Sequence, residues 1–92
     1  MMNLEKANLL LRQGGRFVDL AEAIGIVASD SSSSLDDLIA GLSHPGFVAE
    51  QAAFALYHRT GRDVPQDAAL FSTDAVEWRR WLAEHSTTAA GR

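Results

Sequence analysis

The segment from Leu35 to Gly61 constrains the fold most, because it contains two helical patterns separated by a proline turn. The first pattern spaces four apolar residues at i, i+3, i+4 and i+7, which places them on one helix face: Leu35, Leu38, Ile39 and Leu42. Proline is favoured at the first position of a helix, so Pro45 marks the start of the second pattern. We therefore predict helices over residues 35–42 and 45–60.

The second helix of this segment is rich in alanine. Its apolar arc consists of Val48, Ala49, Ala52, Ala53, Ala55, Leu56 and Tyr57. Because alanine is small, neighbouring backbones are able to approach this arc closely. Gly61 ends the helix, since glycine adopts the left-handed conformation that often follows a helix without steric cost.

Apolar spacing predicts three further helices, over residues 3–13, 16–29 and 74–85. The segment between Gly61 and Asp74 is expected to be a loop with one helical turn around residues 67–71. Short connections make consecutive helices antiparallel neighbours. The sequence therefore predicts an all-α fold of five antiparallel helices.

Several polar residues and glycines define the expected helix ends. Ser34 with Asp37, and Asp74 with Glu77, have the spacing of a capping box. Gly25, in contrast, lies in the middle of the second helix. A glycine there costs about 0.5–1 kcal/mol relative to alanine unless a neighbour packs closely against it.

Composition limits the chain to one domain and excludes several classes of protein. With 92 residues and no cysteine, it has neither the length for a second domain nor thiols for disulfides or thiolate metal sites. We assign residues 1–86 to a single helical domain and 87–92 to a disordered tail. No apolar run is long enough to cross a membrane, and the N-terminus is a poor signal peptide, so we expect a cytoplasmic protein.

The net charge of −4 argues against nucleic-acid binding, which depends on clustered basic residues. Small basic patches around Arg59 and Arg62, and at Arg79 and Arg80, are instead expected to be solvated arginines. These would cap helix ends and pair with acidic residues such as Glu77.

No catalytic or metal-binding pattern emerges. Asp36 and Asp37 are adjacent on a helix, so their side chains point about 100° apart. His44, His58 and His85 have no metal-ligand spacing. We expect no catalytic residue, no cofactor and no metal, and hence no enzymatic activity.

One face of the fourth helix is the strongest functional signal. Phe47, Gln51, Phe54 and His58 follow one another at i, i+4, i+7 and i+11. One interpretation is that flanking helices cover the two phenylalanines. The other is an exposed aromatic stripe rimmed by polar groups, which is typical of a partner-binding surface.

Other residues of the 35–61 segment, together with two tryptophans, carry a resemblance to a known repeat family. The matching positions are Leu38-Ile39-Ala40-Gly41-Leu42, His44-Pro45, Val48, Ala52-Ala53, Ala55-Leu56, Thr60-Gly61, Trp78 and Trp81. This pattern resembles short bacterial HEAT repeats of the PBS-lyase type. The resemblance extends over residues 17–85 and is strongest at 35–61. It implies a stack of HEAT-like helical hairpins, a fragment of an α-α superhelix, with the tryptophan helix closing one end.

The resemblance also implies a function. Helical repeats bury their apolar faces by stacking, and about three are usually needed, whereas this chain has material for about two and a half. It would therefore cap its ends, self-associate or bind another protein. The expected role is a non-enzymatic protein-interaction module, such as an adaptor, an assembly factor or an immunity or accessory subunit. The alternatives are an accessory factor of a pigment- or ligand-processing enzyme, or a weak nucleic-acid binder.

Overall fold

The computed structural model describes residues 2–90, with side chains through residue 85. Over this range the chain forms five α-helices and one short 3-10 turn, and it contains no strand. The elements are α1 (Leu4–Gln13), α2 (Phe17–Ser29), α3 (Leu35–Gly41), α4 (Phe47–Thr60), the 3-10 turn (Ala68–Leu70) and α5 (Ala75–Ala90). The predicted all-α fold is confirmed, including the single helical turn in the long loop.

The predicted tail stays a prediction. Helix α5 continues to Ala90, so it includes residues 87–90 of the segment expected to be a tail. Residues 91–92 lie outside the part of the chain that the structure describes.

The predicted capping box is present at α3, whereas the starts of α5 and α4 differ from the prediction. At α3, the Ser34 hydroxyl accepts from the Asp37 amide at 3.1 Å, and the Asp37 carboxylate accepts from the Ser34 amide at 3.0 Å. Asp74 caps α5 alone, because the carboxylate of Glu77 binds elsewhere. Helix α4 begins at Phe47 and not at Pro45, since Gly46 has a φ of 64° that no right-handed helix contains.

The helices pack as two pairs that lie against each other. Helix α1 packs mainly on α2, and α3 packs on α4, while α2 also contacts α4 and α1 contacts α3. The buried side chains between them form a single core: Ala7, Leu11, Leu20, Ala23, Ile24, Val27, Leu38, Ile39, Leu42, Val48, Ala52, Ala53, Ala55, Leu56, Tyr57 and Trp78.

Gly41 allows three helices to meet closely. A Cβ atom added at Gly41 would lie 2.9 Å from Cδ1 of Ile24 on α2 and 3.0 Å from Cβ of Ala52 on α4. The alanine at position 52 is itself fully buried. Small residues on α3 and α4 therefore set the distance between the two helix pairs.

Arg62 holds α5 against α4. Its guanidinium lies 4.6 Å from the centre of the Trp78 ring and donates two hydrogen bonds, of 2.8 and 3.0 Å, to the carboxylate of Glu77. The indole of Trp78 is fully buried and meets the Tyr57 ring edge-on at 4.9 Å. Trp81 is half-buried beside it and packs against the same core.

Two glycine substitutions test the packing. We expect Gly25→Ala to raise the free energy of unfolding by about 0.5–1 kcal/mol, because alanine favours the helix and nothing lies within 4 Å of the added Cβ. Gly41→Ala is expected to lower it by about 1–3 kcal/mol through overpacking. Urea unfolding measures both values, and a stabilising effect at Gly41 would show that the three helices do not meet tightly there.

The Arg62–Glu77 pair predicts a pH dependence of stability. Hydrogen bonds from Arg62 hold the pKa of Glu77 below its ordinary value of 4.5. Because this pKa is lower in the folded chain than in the unfolded one, the stabilisation is fully present above about pH 4.5 and is lost as the pH falls through the folded pKa. We expect wild-type stability to fall more steeply in acid than that of Glu77→Gln, as measured by urea unfolding. Parallel pH profiles for the two proteins would contradict this.

Candidate partner-binding face

The four residues singled out on α4 lie on one side of that helix. The Phe47 and Phe54 side chains are 48% and 43% exposed, His58 is exposed and Gln51 is half-buried. The interpretation in which flanking helices cover both phenylalanines therefore does not hold. The interpretation as a partner surface stays a prediction.

Neighbouring rings hold the Phe54 side chain in place. Phe71, from the loop before α5, stacks on it at a centroid distance of 6.0 Å. The imidazole of His58 meets the same ring edge-on at 4.5 Å. A half-exposed ring that is fixed in this way loses little conformational freedom on contact with another molecule, which favours binding.

Arg59 joins the ends of α2 and α4. Its guanidinium donates to the carbonyl oxygen of Ser33 at 2.6 Å and also to that of Asp30. Asp30 follows α2 directly and Ser33 lies in the turn after it, whereas Arg59 is in the last turn of α4. The two helices therefore lie side by side with their carboxyl ends together, pointing in the same direction.

A groove of about 430 Å³ runs between these two helices. Its lining comprises Gly25, Ala28 and Ser29 from α2, and Gln51, Phe54, Ala55, His58 and Arg59 from α4. Gly25 forms an open part of the groove, because no atom lies within 4 Å of the position a Cβ would take. No neighbour within the described part of the chain packs closely there, so nothing in the fold offsets the expected cost of a glycine in the middle of α2.

Helix α2 contributes a row of residues that matches the row on α4. Gly25 and Ser29 line the groove, and the same helical spacing of i, i+4, i+7 and i+11 extends the row back through Glu22 to Val18. Val18 is 65% exposed and Glu22 is also exposed. We call the two rows together the α2–α4 face: Val18, Glu22, Gly25 and Ser29 on α2, and Phe47, Gln51, Phe54 and His58 on α4.

Size alone does not distinguish the groove from other concavities. Three others have volumes of about 420, 410 and 500 Å³. The largest lies beside Trp81 and His85, whose rings stack at 3.7 Å. The α2–α4 groove differs from these three in having a mainly apolar lining, whereas theirs is mainly polar.

Carboxylates with displaced pKa values all lie outside this face. Burial acts to raise the pKa of Asp37, but hydrogen bonds from Arg12 and Ser34 outweigh it and leave the pKa lowered. Hydrogen bonds from Ser32 lower the pKa of Asp30. Each of these carboxylates thus makes bonds that stabilise a turn or a helix end.

The chain matches no protein-family model, no curated protein and no solved structure. Among the described residues, no three histidine or acidic side chains are grouped closely enough to hold a metal ion. None of the helices in that part of the chain is sufficiently long and apolar to span a bilayer. Function is therefore argued from the geometry of the face.

The Arg59 contacts predict a measurable loss of stability. Replacing Arg59 with methionine keeps much of the side-chain volume but leaves two carbonyl groups without their charged donor. We expect the free energy of unfolding to fall by about 1.5–3 kcal/mol, the range for hydrogen bonds to charged groups. Arg59→Lys should recover only part of the loss, because an ammonium group lacks the planar fork of guanidinium. Urea unfolding checks the series.

Arg79→Met is the matched control, since Arg79 is exposed on α5. It should change stability by less than about 0.5 kcal/mol. If Arg59→Met were equally mild, the contacts of Arg59 would not be what aligns α2 with α4.

Proposed function

We propose that this chain is a non-enzymatic protein-interaction module that binds a helix on its α2–α4 face. One observation carries the proposal: Phe47 and Phe54, 48% and 43% exposed, lie on one rigid helix face beside an open groove. Exposed aromatic residues grouped with polar neighbours are typical of partner surfaces. Helices commonly bind in such grooves through apolar residues at i, i+3, i+4 and i+7.

The packing of the helices supports a HEAT-like arrangement. The contacts α1–α2 and α3–α4 define two helical pairs, and the contacts α2–α4 and α1–α3 join them layer by layer. The shared direction of α2 and α4 fits this arrangement, because equivalent helices of successive repeats run parallel. Stacked repeats use extended surfaces of this kind for binding.

The spacing of the two rings suggests the form of the partner. Phe47 and Phe54 are seven residues apart on a helix, which corresponds to about 10 Å. A partner helix lying along α4 would meet both rings with apolar residues separated by two turns. We propose the role of an adaptor, an assembly factor or an immunity or accessory subunit in a bacterial cytoplasm.

A second candidate function is supported by the groove volume. At about 430 Å³, the groove falls within the range of about 300–1,000 Å³ typical of small-molecule sites. An accessory factor of a pigment-processing enzyme would use such a site, and titration with a linear tetrapyrrole distinguishes it from a protein-only surface. Nucleic-acid binding has less support, because Arg59 and Arg62 are both engaged within the chain.

Affinity capture with a charged substitution tests the proposal. We expect Phe54→Asp to reduce partner capture at least tenfold, because it places a carboxylate in the centre of the apolar contact. The control is Leu70→Asp, since Leu70 is 70% exposed, lies in the 3-10 turn and does not line the groove. Capture from the source-cell extract, quantified by mass spectrometry, compares both variants with the wild type.

Circular dichroism and thermal unfolding should show that both variants remain folded. A protein captured by the wild type and by Leu70→Asp, but not by Phe54→Asp, would support the proposal. Equal capture by all three would remove the α2–α4 face from the function.

A further inference from the structure

We infer that the α2–α4 face binds a second copy of this chain, forming a two-fold dimer in which α2 of each copy lies over α4 of the other. The inference deepens the proposed function and rests on it, because it names the partner of the same face. Its basis is the correspondence between the two rows. The two rows lie side by side, run in the same direction and carry complementary residues at matching levels.

The rows pair position by position. With the carboxyl ends of α2 and α4 aligned by Arg59, Ser29 lies near the level of His58 and Gly25 near that of Phe54. Two more levels follow towards the amino ends, Glu22 with Gln51 and Val18 with Phe47. A two-fold axis along the helices places each α2 row over the α4 row of the other copy. An interface of this kind is isologous, so every pairing occurs twice.

The pairing of Gly25 with Phe54 is complementary in shape. Phe54 is a half-exposed ring held by Phe71 and His58, whereas Gly25 leaves an open recess. The ring of one copy would occupy the recess of the other. This accounts for a mid-helix glycine that no contact within the chain requires, and that costs helix stability.

The other three pairings are complementary in chemistry. The Glu22 carboxylate meets the side-chain amide of Gln51, a hydrogen-bond donor. The Ser29 hydroxyl meets the His58 imidazole, and Val18 meets Phe47 as an apolar contact. In a chain with a net charge of −4, an arrangement without opposed carboxylates also avoids like-charge repulsion across the interface.

The alternative two-fold arrangement, with its axis across the helices, gives less complementary pairings. An axis across the helices would place α2 over α2 and α4 over α4 in antiparallel directions. Phe54 would then lie over Gln51, and the recess at Gly25 would receive Glu22. The structure therefore favours the arrangement of α2 over α4.

The size of the face indicates a weak dimer. Its rows are about 16 Å long and two helices wide, about 20 Å. The area that these two dimensions enclose is smaller than the roughly 800 Å² that each partner buries in a standard interface. We therefore expect a monomer–dimer equilibrium that depends on concentration.

Sedimentation equilibrium of the full chain, from about 1 μM to about 1 mM, covers the range of weak Kd values. The wild type should move from 9.9 kDa towards twice that mass as its concentration rises. Gly25→Gln fills the recess with a residue that favours helix, and it should weaken dimerisation at least tenfold. Phe54→Asp should do the same, whereas Leu70→Asp should have no effect.

Cysteine crosslinking tests the orientation, because the natural chain contains no cysteine. A chain carrying Ser29→Cys mixed with one carrying His58→Cys should form a mixed disulfide under mild oxidation. Neither variant alone should crosslink to itself efficiently. Mixed crosslinking that is abolished by Gly25→Gln would support the inference.

Three results would overturn it: a monomer at every concentration, a dimer that Gly25→Gln leaves intact, or self-crosslinking of S29C chains without the mixed product. A monomeric wild type that still captures a different protein through Phe54 would reject the second copy and retain the proposed function. Insensitivity of both capture and dimerisation to Phe54→Asp would reject the two together.

Discussion

The α2–α4 face depends on the hydrogen bonds that the guanidinium of Arg59 donates to two backbone carbonyl groups. Arg59 lies in the last turn of α4, yet it donates to the carbonyl oxygen of Asp30 at the end of α2 and to that of Ser33 in the turn that follows. Apolar packing brings the two helices together, but it is less directional than a hydrogen bond. The directional hydrogen bonds of Arg59 define their relative position, and this position determines which exposed residues of α2 and α4 lie side by side.

Much of the fold could be predicted from the sequence, because local chemistry decides it. Ser34 and Asp37 form the expected capping box, and the apolar spacing of 35–42 gives the expected helix. The start of α4 could not be placed from Pro45 alone, because the conformation of Gly46 depends on how the α3–α4 turn closes. The HEAT-like stacking implied by the resemblance is a proposal that the pairing of the helices supports.

Only the α4 half of the candidate face could be predicted from the sequence. Helical spacing alone identified Phe47 and Phe54, but their exposure depends on which helices pack beside α4. The contribution of α2 was missed, because its row contains a glycine and a serine that give no pattern by themselves. The position of Phe71 against Phe54 could not be predicted either, because the loop between them has no periodicity. The one available signal was the unexplained cost of Gly25 in the middle of a helix.

The two tryptophans of α5 give the molecule its own optical reporters. Trp78 is fully buried between Tyr57 and Arg62, and Trp81 stacks on His85 near the surface. Neither indole belongs to the α2–α4 face. Tryptophan emission should therefore follow the detachment of α5 from α4, while occupation of the face should leave the emission wavelength almost unchanged. The emission of the chain would therefore report on α5 more than on the α2–α4 face.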